Sequence, residues 1–207
     1  MSKPAPSMTK EESRPGRLPG RPRSARAHAA ILDAAVELFI EAGSEGMSVE
    51  AVAVKAGVGK ATIYRRWPSK EELLIEAIEH VFAEPPTPDT GSVRDDLALI
   101  GRDLHMLMTS RLTGGVFPPM AAEVARGSRL GRLYGQRVIA PRRAILEQAL
   151  RRGIDRRELS GDFDLELAID LLVGTFLLRR LTNRLKRTDS ELPDRAVDIV
   201  LTGVAEA

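Results

Sequence analysis

Apolar residues in this 207-residue chain recur three and four positions apart, and in no segment do they alternate one by one. That spacing puts them on one face of a helix, whereas a half-buried strand needs a period of two. One stripe runs through Ile31, Ala34, Ala35, Leu38, Phe39 and Ala42 and closes at Gly43. Others run from Leu73 to Phe82, from Val93 to Met108 and from Ala196 to Val204. There is no internal repeat, and the expected fold class is all-α.

The breaks between stripes divide the chain. Residues 1–24 are rich in Pro, Ser, Gly and Arg and nearly devoid of large apolar side chains, so a disordered basic arm is expected there. Residues 25–84 hold four helical segments, the first starting near Ser24 or Arg26. Pro85-Pro86-Thr87-Pro88 marks a linker over 85–91, and 92–207 form a helical body. Within the body, Gly114-Gly115 and Pro118-Pro119 are expected to break a helix begun at Ser92, with a short helix following over about 119–126. Pro141 should kink the long pattern over 129–152, and Gly153 should stop it. Asp162 or Asp164 then caps an apolar helix through about Arg184, and a last helix follows Pro193.

Residues 43–73, GSEGMSVEAVAVKAGVGKATIYRRWPSKEEL, carry the strongest functional signal. A short helix with Val49, Val52, Ala53 and Ala56 on one face stops at Gly57, and a second begins at Lys60. Two short helices joined by a glycine-containing turn form a helix-turn-helix, whose second helix fits the major groove of B-DNA. Ile63 and Trp67 anchor that helix to the core, leaving Lys60, Thr62, Tyr64, Arg65 and Arg66 as polar groups with little core to bury in. Ser48 is placed to cap the first of these helices, and Ser69 with Glu72 makes a capping box for the helix after them.

Charge distribution agrees with a nucleic-acid partner. Residues 1–70 carry twelve Lys/Arg against seven Asp/Glu, so the chain's net charge of +2 conceals a basic front end on a mildly acidic remainder. The chain has no cysteine, which removes disulfides, thiolate zinc sites and thiol catalysis. His28, His80 and His105 match no metal-ligand spacing, and no cofactor is implied. The most apolar run, Leu167 to Leu178, is too short to span a bilayer, and no secretory h-region follows the N-terminus, so a cytoplasmic protein is expected. Gly57-Val58-Gly59-Lys60 is not a phosphate loop, because Val54 stands where its first glycine belongs and Ala61 follows the lysine.

These residues together resemble the TetR family of bacterial transcriptional regulators. The resemblance rests on Ile-Leu-x-Ala-Ala-x-x-Leu-Phe (Ile31 to Phe39), Gly-x-x-x-x-Ser (Gly43 to Ser48), Ala-Gly-Val-Gly-Lys-Ala-Thr-Ile-Tyr-Arg-Arg-Trp (Ala56 to Trp67) and Ser-Lys-Glu-Glu-Leu (Ser69 to Leu73). Ala140 to Arg143 and Arg152 to Leu159 look similar to C-terminal domains of actinobacterial members. The resemblance implies a homodimer with one recognition helix in each half of a palindromic operator on double-stranded DNA. It also implies a body that binds a small molecule and thereby shifts the fourth helix, with dimerisation through the last two helices.

Candidate site residues follow. For DNA, Thr62 suits a base edge or thymine methyl, Arg65 a guanine, Tyr64 the backbone or base methyls, and Arg66 phosphate or solvent. Lys60, Ser48 and Lys70 stand at helix starts, where phosphate is favoured. Arg21 and Arg23, in an Arg-Pro-Arg segment expected to be extended, suit a minor groove or merely a solubilising tail. An effector pocket is expected among Leu104, His105, Met108, Phe117, Met120 and Tyr134, with Arg102 or His105 able to neutralise an acidic ligand; each serves equally well as core or exposed face. Leu172, Gly174, Phe176, Val197, Val200, Leu201 and Val204 are the candidate dimer contacts. An architectural DNA-binding protein without an effector, and an all-α enzyme, are the competing readings; no nucleophile–base pair supports the second.

Overall fold

The computed structural model describes residues 21–82 and 84–205, with side chains for 25–82 and 84–203. Every regular element among them is helical. Helix α1 (Arg21–Gly46) buries Ile31, Ala35 and Phe39, and is bent at Gly43, whose φ of 68° and ψ of −177° interrupt the helix. A side chain at such a φ would cost about 1–2 kcal/mol, which explains glycine at that position. Helix α1 begins ahead of the expected start, because Pro22 falls in its first turn, where a missing N–H is tolerated. The Arg21-Pro22-Arg23 segment is therefore helical backbone rather than extended. The rest of the expected arm lies outside the described residues.

Helices α2 (Val49–Lys55), α3 (Lys60–Tyr64) and α4 (Lys70–Val81) complete the head. The Ser48 hydroxyl accepts from the Ala51 N–H at 3.1 Å and the Ser69 hydroxyl from the Glu72 N–H at 3.2 Å, each cap contributing about 1 kcal/mol. Gly57, at φ 65°, turns the chain between α2 and α3. Leu73, Leu74, Ile75, Ala77 and Ile78 of α4 are all fully buried, so α4 is the central strut of the head.

The body consists of α5 (Val93–Thr109), α6 (Arg111–Ala125), α7 (Arg129–Tyr134), a π-helical turn (Gly135–Ile139), α8 (Ala140–Asp155), α9 (Leu165–Leu181) and α10 (Leu192–Ala205). Three expectations are corrected here. Gly114-Gly115 and Pro118-Pro119 do not end a helix but lie inside α6. Pro118 cannot donate to the Gly114 carbonyl, and Arg180 Nε of α9 supplies the missing bond at 2.9 Å. Gly114 has no room for a Cβ, which would sit 2.3 Å from the Met108 carbonyl oxygen. Gly153 likewise does not stop α8. It is buried, with space for no side chain against Val93 of α5, and the helix runs on to Asp155, with Arg157 in the turn after it at φ 61°. Pro141 sits in the first turn of α8, and the widened turn just before it takes up the irregularity.

The apolar core does not divide at the proline-rich segment 85–91. Ile31, Phe39, Leu74, Ile78 and Phe82 of the head share one cluster with Met108, Phe117, Met120 and Tyr134 of the body. A second cluster, farther from the head, joins α5, α8, α9 and α10 through Leu97, Leu150, Ile169 and Val197.

Candidate nucleic-acid interface and ligand cavity

Two anchors fix the orientation of α3. Ile63 and Trp67 are 1% and 3% exposed. The Trp67 indole N–H donates to Glu76 of α4 at 2.7 Å, and His28 of α1 stacks on the indole with ring centroids 5.3 Å apart. The sequence reading named the Trp67 anchor but not its partners, since a stack between residues thirty-nine positions apart leaves no local signal. With that face buried, Lys60, Tyr64 and Arg65 are exposed, while Thr62 and Arg66 are half-exposed. The helix is shorter than expected: Arg65 is its cap, and the chain turns before Trp67.

The predicted phosphate-binding groups differ in how they are held. Lys60 forms an ion pair with Glu50 of α2 and lies 5.5 Å from the Tyr64 ring. The hydrogen bond to Lys60 holds the Glu50 carboxyl below its usual range, and the same bond raises the Lys60 ammonium. Ser48 is exposed beside α2. Lys70 is turned inward, donating to the Ser44 carbonyl at 2.5 Å, so it ties the α1–α2 junction to α4 before it meets any phosphate. The side chains of Arg21 and Arg23 lie outside the described residues.

Behind the head, a cavity of about 640 Å³ opens among α5, α6, α7, α8 and α9. Leu104, Met108, Phe117, Met120 and Tyr134, named from the sequence, all line it. His105 does not: it is 5% exposed, faces the Lys186 carbonyl at 3.0 Å and packs near Phe176, on the other side of α5. Arg102 is also elsewhere, paired with Asp194 of α10. Four further polar groups reach the cavity, namely Asp103, Arg142, Arg143 and Asp170. The sequence reading missed them because charged residues on helices ordinarily mark solvent.

Phe82, at the end of α4, also lines the cavity, which places the wall of the cavity against the strut of the head. The opposite end of that wall grips α4 through charge. Arg137, in the π-helical turn, donates through Nε to Glu79 at 2.8 Å and through Nη1 to Glu72 at 3.4 Å; Arg129 of α7 reaches Glu72 at 3.0 Å. Glu123, 4% exposed on α6, accepts from Ser44 of α1 and from Arg126. Burial opposes its charge, but the hydrogen bonds from Ser128, Ser44 and Arg126 outweigh it and hold its carboxyl below the usual range.

Several of the candidate dimer residues are taken up by packing within this chain. Leu172, Phe176 and Val197 are 4%, 1% and 1% exposed and point into this chain's own core, and Gly174 faces the cavity. Val200 is buried, Leu201 is half-buried, and the Val204 side chain lies outside the described residues. Among the described residues, the large apolar side chains left in solvent on these two helices are Leu167, Leu171, Leu178, Leu181 and Ile199, and those of α9 lie on the face away from the buried set.

Residues 31–77 match the profile of the bacterial regulatory proteins of the tetR family, and residues 87–200 that of the tetracyclin repressor-like C-terminal domain. The HTH-type transcriptional regulator YdeS of Bacillus subtilis is 34% identical over 84% of this chain and 88% of its own length. AqdR of Rhodococcus erythropolis, also an HTH-type transcriptional regulator, is 32% identical over 87% of this chain and 86% of its own. The transcriptional regulator FadR from Bacillus subtilis, solved in complex with stearoyl-CoA, has a similar fold, with a TM-score of 0.72, 23% identity, and coverage of 84% of this chain and 98% of that one. Among the described residues, no helix is long and apolar enough to cross a membrane.

Proposed function

Since the chain belongs to the TetR family of bacterial transcriptional regulators, we propose that it is a cytoplasmic repressor that holds a palindromic operator as a homodimer and leaves it when a small apolar molecule fills the body cavity. The observation that carries this reading is that one helix, α4, serves both ends. Its middle carries Glu76, the partner of Trp67 beneath the recognition helix, and Phe82, which caps its C-terminal end, lines the cavity. A ligand that displaces Phe82 or the Arg137 turn therefore acts on the strut that sets the position of α3.

Thr62, Tyr64 and Arg65 read bases or adjacent backbone, while Lys60, Ser48 and Arg66 serve phosphates. Lys60 leaves Glu50 to do so, and the freed carboxylate then sits next to the duplex, which penalises misplaced binding. The exposed leucines of α9 and Ile199 of α10 supply the dimer contact, because a stripe of that kind on a monomer is most cheaply buried against its own copy. The relatives are transcriptional regulators, which does not favour the architectural alternative, and no catalytic role is assigned.

Selection of duplexes from random DNA by the full-length protein, at near-physiological salt, tests the reading. Enrichment of a palindrome is the expected result. Salt-sensitive binding with no enriched motif would move the chain to the architectural class.

A further inference from the structure

The reading above makes the cavity an effector site, and the following rests on it while specifying the chemistry of the occupant. Most of the lining is aliphatic or aromatic, yet Asp103 of α5 and Arg142 of α8 both reach the cavity. The two lie within each other's electrostatic field without forming an ion pair. The Asp103 carboxyl makes no hydrogen bond or ion pair among the described residues, and burial pushes it above the usual range, against the pull of Arg142. Arg142 donates to the Val138 carbonyl at 3.3 Å and lies 5.3 Å from the Phe82 ring. Arg143 and Asp170, the other charges at the cavity, already pair with each other at 2.6 Å. The unmet hydrogen-bonding capacity is thus concentrated at Asp103, next to a cation.

Net charge decides what fits. A ligand carboxylate would gain Arg142 but face Asp103; a ligand ammonium would gain Asp103 but face Arg142. Either would also bring an unbalanced charge into a largely apolar space, at considerable desolvation cost. A neutral group with an N–H or O–H beside a carbonyl avoids both penalties, giving its proton to Asp103 and accepting from Arg142, and both bonds are charge-assisted. The cavity's volume lies within the range of small-molecule sites, leaving most of its space for an apolar body. We propose that the cavity takes a net-uncharged, mainly apolar molecule whose polar end pairs a donor with an adjacent acceptor, as in a carboxamide or lactam, set between Asp103 and Arg142.

The test uses the full-length protein at neutral pH and four ten-carbon probes in calorimetric titration: decanamide, methyl decanoate, decanoate and decylammonium. Decanamide is expected to bind about tenfold or more tightly than either ion, the scale of one charge-assisted hydrogen bond. Asp103→Asn removes a negative charge from the cavity and should shift the preference to decanoate; Arg142→Gln removes a positive one and should shift it to decylammonium. The first variant is nearly isosteric and removes no hydrogen bond made by Asp103, so it keeps the test open if the second fails to fold. Tightest binding of either ion to the unmodified protein would overturn the proposal, as would a ranking unchanged in Asp103→Asn. Equal binding of all four probes would also overturn it while leaving an apolar effector site in place. If no probe binds, the effector reading of the cavity fails as well.

Discussion

At the residue scale, the recognition helix separates what it anchors with from what it offers. The Arg65 side chain is exposed and makes no hydrogen bond or ion pair among the described residues, whereas Lys60 is shared with Glu50. Different losses are therefore expected. Arg65→Ala should weaken binding to the selected operator by about 1–3 kcal/mol and relax specificity at one base position, as for loss of a bidentate base contact. Lys60→Ala should weaken all duplexes alike and reduce the slope of log affinity against log salt by about one. Fluorescence anisotropy across a salt series distinguishes the two, and equal effects on every sequence from Arg65→Ala would remove its base-reading role.

Asp96 offers a residue-scale test of stability. It is fully buried, and burial opposes its charge, but the Thr90 N–H at 2.7 Å, the Thr90 hydroxyl at 2.8 Å and Arg152 at 3.3 Å outweigh that and hold its carboxyl below the usual range. A lowered native value means that its contribution is complete above the unfolded aspartate value of about 3.9 and is lost as pH falls through the native one. Urea midpoints of the unmodified protein should accordingly drop below about pH 4, and those of Asp96→Asn should drop less steeply over the same window. Asp96→Ala, which strands Arg152 and Arg156 without their buried partner, should cost about 3–5 kcal/mol at neutral pH.

At the scale of elements, α4 is held from two sides, by apolar packing with α1 and by the Arg137 clamp. Both clamp partners are partly in solvent, so Arg137→Ala should lower stability by no more than about 1 kcal/mol. Its effect on coupling should be larger in proportion. The factor by which a cavity ligand weakens operator binding should fall about threefold or more, with affinity for the ligand itself unchanged. Operator titrations with and without decanamide measure this, and an unaltered factor would assign the coupling to Phe82 alone. Helix α6 depends on a neighbour in another way. Arg180→Ala leaves the Gly114 carbonyl without its donor beside Pro118 and should cost about 1–3 kcal/mol in urea unfolding.

Over the whole molecule, the body has two apolar surfaces along α9 and α10, one already spent on its own core. A charge on the exposed surface should therefore dissociate the proposed dimer without unfolding the chain. Leu171→Asp combined with Ile199→Asp is expected to sediment as a folded monomer, while Leu172→Asp, placed one position along, should unfold it. A folded Leu171→Asp/Ile199→Asp dimer would mean that the contact lies elsewhere.

The amino-acid sequence by itself determined the helical class, the helix-turn-helix and its caps, because these depend on residues within a few positions of one another. Ser48, Ser69, Gly57 and the spacing of Val49, Val52 and Ile63 act locally. Five of the six residues named for the cavity line it, legible for a similar reason as apolar or aromatic side chains near irregular segments. Which face of α9 meets its own core, why α6 continues through two prolines, and that Asp103 faces a cavity rather than solvent were decided only by the tertiary structure. Each depends on a partner distant in the chain: α9 has apolar residues nearly all round, so periodicity cannot orient it; the proline break is repaired by Arg180; and the environment of a carboxylate is set by the helices packed around it.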